Sequence, residues 1–166
     1  MKQELRLYNV IFPIWMLWLA PQAWLIALPG NLIVDVVVLT VTLKVLGHRN
    51  KLAVVKALWW KFWLFGFLAD FVGVAALLPC PFLMVWLEPA APWVYDAFSP
   101  VMHNPFLSLP ALLWVGVAVA GAGYCIYRFD RRAMKDCPLL SETEKHRIAL
   151  TMAVVTAPWM FFIPVY

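Results

Sequence analysis

The stretch Trp60–Leu78, WKFWLFGFLADFVGVAALL, decides the fold class. It carries two charged side chains, Lys61 near one end and Asp70 inside. Its length matches the roughly 20 apolar residues that a helix needs to cross a hydrocarbon layer about 30 Å thick. The apolar residues run continuously and do not alternate, which excludes a strand of a membrane barrel. In lipid every backbone N–H and C=O must be paired within the segment, and a helix does this by itself. Lys61 stands where its stem can snorkel to headgroups, and Trp59, Trp60 and Trp63 form an aromatic belt at the same boundary.

Working outward, four more stretches read the same way. Leu7–Leu28 is a first span, interrupted by Pro13 and Pro21. Pro29–Gly30–Asn31 is a tight turn with Asn31 as the N-cap of a second span, Leu32–Gly47. The same turn also permits a re-entrant hairpin hinged at Pro29–Gly30. Leu107–Tyr127 is a fourth span. Ile148–Val165 is a fifth, introduced by Ser141–Glu142–Thr143–Glu144, which has the spacing of a capping box.

The expected architecture is an all-α membrane protein of one transmembrane domain. It is a five-helix bundle with spans at 7–28, 32–47, 60–78, 107–127 and 148–165. A Pro-rich outer loop covers 79–106 and a basic cytoplasmic loop covers 128–147. Leu7–Leu28 is too long for the apolar core of a signal peptide and is read as a span that stays.

Charge sets the expected orientation. All 13 Lys and Arg residues fall on one side of these spans. They are Lys2 and Arg6; Lys44, Arg49, Lys51, Lys56 and Lys61; and Arg128, Arg131, Arg132, Lys135, Lys145 and Arg147. Segment 79–107 has none. Positive charge on alternate connections marks the cytoplasmic side, which puts the amino terminus inside and the carboxyl terminus outside a plasma membrane of prokaryotic inner-membrane type.

Composition agrees. The chain has 166 residues, of which 64% are hydrophobic and 13% charged, with a mean hydropathy of +0.81. A soluble domain of this size needs more polar surface. The net charge of +4 belongs to residues flanking spans, so it speaks for anionic headgroups and against nucleic acid. Cys80 falls outside and Cys125 and Cys137 inside, so Cys80 bridges to neither.

Candidate chemistry rests on charges inside spans. Asp35 and Asp70 are costly in lipid and are ion- or proton-handling candidates by default. Asn31, Asp35 and Thr42 share one helix face at i, i+4 and i+11. Gly66 and Gly73 flank Asp70 on its own face and allow close approach. Gly116, Ala120 and Gly123 form a small-residue face for helix packing. In the outer loop Glu88, Trp93, Asp96 and His103 are the polar and aromatic candidates, without the spacing of a metal site. No span carries a histidine suited to a membrane haem, and no phosphate loop or hydrolase motif is present. No cofactor or metal is expected.

The leading expectation is a non-catalytic component that assembles, within the lipid bilayer, with a membrane-protein partner or with itself. The alternative is a small proton- or cation-coupled transporter or channel using Asp70 and Asp35. A weaker third is a membrane-embedded lipid-processing enzyme.

Overall fold

A computed structural model of the chain describes residues 24–87 and 90–164. These residues are 82% helical and contain no strand. Three of their helices are long and apolar enough to cross a membrane. Span one, Leu7–Leu28, lies almost wholly outside the described residues, together with Pro13, Pro21 and Glu88.

Helix α1 runs Trp24–Val45, 22 residues, or about 33 Å. It passes straight through Pro29 and Gly30, so the expected turn, the Asn31 N-cap and the re-entrant hinge at Pro29–Gly30 are all replaced by continuous helix. The physical reason is a count of backbone groups. A proline in a helix leaves one carbonyl without its donor, whereas an open turn in an apolar setting leaves several groups unpaired. The helix stops at Gly47, whose φ of 69° only glycine adopts readily. There Gly47 N–H donates to the Lys44 carbonyl (3.1 Å) and His48 N–H to the Leu43 carbonyl (3.0 Å). That pair of bonds is a Schellman ending.

Helix α2 is Lys51–Leu77, 27 residues, and begins well before the expected Trp60. After Leu78, helix α3 covers Pro79–Leu87 and helix α4 covers Trp93–Phe98. Two 3-10 turns follow at Ser99–Met102 and Pro105–Leu107. The Pro-rich segment is thus a chain of short helical pieces, several of them packed against the next long helix. That helix, α5, is Leu109–Ala133, 25 residues. It extends through Arg128, Asp130, Arg131 and Arg132, which the sequence reading assigns to a loop.

Helix α6 is Glu142–Val155 and has 14 residues, about 21 Å. It ends before Pro158, and a 3-10 turn at Trp159–Phe162 continues the chain. The expected fifth span, 148–165, is therefore not one helix, and α6 by itself is shorter than the hydrocarbon layer. Its start is as expected: Ser141 and Glu144 form the full capping box.

The four longer elements close a ring in which α1 packs on α2 and α6, and α5 packs on α2 and α6. Successive members are antiparallel, so the last turns of α1 and α5 and the first turns of α2 and α6 share one end. Lys44, Lys51, Arg131, Arg132 and Lys145 gather there. The core at that end joins Leu43, Val54, Leu58, Phe62, Met134, Leu140 and Ile148. The core at the far end joins Ala27, Val74, Val115, Val119, Ala157 and Phe161. The outward faces are just as apolar, with Ile33, Val37, Leu64, Leu68, Leu113 and Val117 exposed. Inside and outside differ in closeness of packing more than in polarity, as expected where the surroundings are lipid.

Candidate functional site: a cluster of buried carboxylates

Three helices each contribute one carboxylate to the interior of the ring. Asp35 on α1 is 7% exposed and Asp130 on α5 is 1% exposed, while Asp70 on α2 is half-buried. Asp35 reaches α2 at Gly66, where a Cβ would stand 3.3 Å from Asp35 Oδ2. The missing side chain is what lets the carboxylate sit against the neighbouring backbone. Next to Gly66, the Phe65 ring lies 5.7 Å from that of Phe129, the neighbour of Asp130. The ring contact brings the Asp130 turn of α5 to about the level of Gly66, and Asp70 lies one turn further along α2, about 6 Å by helical rise. Asp35 is within electrostatic reach of both Asp70 and Asp130.

Among the described residues neither oxygen of Asp130 has a hydrogen-bond partner, although both are fully shielded. No ion pair among the described residues involves any of the three carboxylates. Among the described residues no group of three or more His, Cys, Asp and Glu is gathered closely enough to hold a metal ion. The cluster is loose: close enough for one charge to act on the next, too open for a chelate.

The other candidates divide. Thr42 is buried on the Asp35 face, but its hydroxyl donates to the Val38 carbonyl one turn back at 2.7 Å. Asn31 lies mid-helix in α1 and is half-buried. Gly73 is a tight seam: a Cβ there would stand 3.0 Å from Phe161 Cε2 and 3.2 Å from Ala122 Cβ. Gly123 packs on α6, with the Ala153 carbonyl oxygen 3.3 Å from its Cβ position. Gly116 meets nothing within 4 Å and Ala120 is exposed, so only Gly123 of that small-residue face packs inside the bundle. Trp93, Asp96 and His103 are all exposed on the short helical pieces, and Glu88 is outside the described residues. Cys80, Cys125 and Cys137 are free thiols.

Asp130 was missed by the sequence reading. Its neighbours Arg128, Arg131 and Arg132 look like a solvated loop, and nothing in their order tells which way Asp130 faces. The available signal was the lack of a helix stop before Pro138, which lets the span run on past Tyr127.

The basic end holds a second polar network. Lys145, 7% exposed, donates to the Lys135 carbonyl at 3.1 Å and to Glu142 Oε1 at 3.0 Å. Arg131 reaches Glu142 Oε2 at 3.2 Å. His48 Nδ1 stands 2.9 Å from Glu144 Oε1 and ties the end of α1 to the start of α6. The Ser141 backbone N–H, the His48 side chain and the Ser141 hydroxyl hold the Glu144 carboxyl down at about 2. Lys145, ahead of Arg131, also lowers Glu142 from its ordinary value.

Comparison with models of known families, with curated proteins and with solved structures finds no match.

Proposed function

We propose that this is a small multi-pass membrane protein that carries a proton or a small cation across the bilayer by way of Asp35, Asp70 and Asp130. Asn31 and Thr42 lie along the same face of α1 as Asp35. The observation that carries the reading is Asp130, a carboxylate 1% exposed with no partner for either oxygen among the described residues. Ionisable groups in membrane helices are expensive and mark ion pathways by default. Carboxylates that merely glue helices together make hydrogen bonds across the interface, and among the described residues none is formed by Asp130. The same proposal takes the membrane to be a plasma membrane of prokaryotic inner-membrane type, with the basic end on its cytoplasmic face by the positive-inside rule. It puts Lys2 and Arg6 on the same side and the carboxyl terminus outside.

The test is flux in liposomes under imposed proton, sodium and potassium gradients. Native protein is expected to exceed protein-free vesicles, and Asp35→Asn, Asp70→Asn and Asp130→Asn are each expected to reduce that flux. Equal flux in native protein and all three variants ends the proposal.

A second reading is favoured by a separate observation. Gly116 has open space beside it and Ala120 is exposed, on a face of α5 that also exposes Val117 and Tyr124. This supports a non-catalytic component that assembles with a second copy or a membrane-protein partner. Gly116→Leu is expected to dissociate such an assembly in mild detergent; a native protein that is already monomeric and copurifies with nothing removes the reading. The lipid-processing reading gains no support, because no hydrogen bond among the described residues joins these carboxylates to a nucleophile or to one another.

A further inference from the structure

We infer that the ion is the proton, taken up by Asp130 and passed on through Asp35 and Asp70. The inference rests on the transport reading and narrows it to one substrate class.

A carboxylate charge shielded from water and left without a partner is strongly unfavourable, so a positive charge must join Asp130 when it is buried as seen here. No Lys or Arg among the described residues pairs with it. A metal cation entering this position would need several oxygen ligands to replace its lost hydration shell. The surroundings do not supply them. Ile126 and Ala133, one turn either side of Asp130 on α5, are buried and apolar, as is the adjacent Met134, and the Phe129–Phe65 ring pair flanks the position. Thr42, the buried hydroxyl on α1, donates to the Val38 carbonyl and adds at most one oxygen, far short of a coordination shell. A proton asks for one oxygen and no coordination shell. The donor set fits it and does not fit a metal cation.

The same geometry supplies the next acceptors. Asp35 meets α2 at Gly66, at about the level of the Asp130 turn, and Asp70 follows one turn on. Gly66 keeps the space at Asp35 Oδ2 open, since any side chain there would crowd the carboxylate. Among the described residues no hydrogen bond joins the three carboxyl groups, so transfer between them has to run through intervening water. In each step an O–H bond breaks on one carboxyl group as one forms on the next, with water giving up one proton as it receives another. Nothing is oxidised or reduced.

The experiment uses full-length protein in vesicles, with a pH-sensitive dye inside under a pH gradient. Matched vesicles carry a sodium or potassium gradient at equal pH on both sides. Native protein, Asp130→Asn, Asp130→Glu and Asp35→Asn are compared after size-exclusion and circular-dichroism checks of folding. Proton flux is expected in the native protein, falling to the protein-free level in Asp130→Asn and Asp35→Asn and recovering in part in Asp130→Glu. Should Asp130→Asn fail to fold, Asp35→Asn carries the same expectation. Sodium or potassium flux that these variants abolish overturns the proton assignment while leaving a transport site in place. Proton flux unchanged in folded Asp130→Asn or Asp35→Asn overturns the relay. A native protein that moves no ion removes both the inference and the reading beneath it.

Discussion

Lys145 and Asp130 are buried to nearly the same degree and are treated in opposite ways. At the basic end Lys145, 7% exposed, has a carboxylate and a backbone carbonyl within 3.1 Å. In the ring interior Asp130, 1% exposed, has no partner among the described residues. The first region is built as a structural joint. Two capped helix ends, a buried lysine and the His48–Glu144 contact hold α1, α5 and α6 in register. The second carries a cost that packing alone does not require. Burial of charge is thus not one phenomenon in this molecule: among the described residues Lys145 is paired and Asp130 is not, and on the transport reading proposed above the unpaired carboxylate is the one that handles the ion.

The contrast is sharpest in stability. Lys145→Ala removes two hydrogen bonds made by a charged donor and is expected to destabilise the fold by about 3 kcal/mol, read from thermal unfolding in detergent. Asp130→Leu should do the reverse. Replacing an unsatisfied buried polar group by an apolar one of similar size is expected to stabilise by about 1–2 kcal/mol while abolishing flux. A destabilising Asp130→Leu would show that the carboxylate has a structural partner and would erase the contrast. At the α6 cap, Ser141→Ala is expected to cost about 1 kcal/mol.

The smallest effect is one of pH. Glu144 has its carboxyl lowered from 4.5 to about 2 by Ser141 and His48. A depressed folded-state value means the contribution is fully present above about 4.5 and is lost as pH falls toward 2. The melting temperature of the native protein should therefore decline across that acid window, and Glu144→Gln should show a shallower decline. The pair is only part-buried, so solvent screening keeps this effect modest. Identical slopes in the two proteins would remove Glu144 from the joint.

Much of this arrangement was legible in residues alone, and each failure has its own physical cause. The apolar core of α2 and most of α5 follow from composition, because helix is the backbone form that satisfies itself in an apolar setting. Ser141 and Glu144 were legible as a cap because the motif is local. Pro29–Gly30 misled, since turn propensity is calibrated where water can bond a broken backbone. Arg128, Arg131 and Arg132 misled as well: charge reports which side a segment faces and says little about where its helix ends. Ile148–Val165 is apolar enough for a span, yet the helix ends before Pro158 and a 3-10 turn at Trp159–Phe162 follows against the far core.

The sequence by itself determined a helical chain with segments long and apolar enough for a membrane, basic residues collected at one end, and Asp35 and Asp70 as charges needing an explanation. Those properties depend on residue type and short-range spacing. Only the tertiary structure decided that Asp130 joins them, that Gly66 makes room for Asp35, and that Gly116 and Ala120 face outward while Gly123 packs inward. Each of these depends on the rotation and axial register of one helix against another. That register is set by packing across the whole ring, and no local stretch of sequence encodes it.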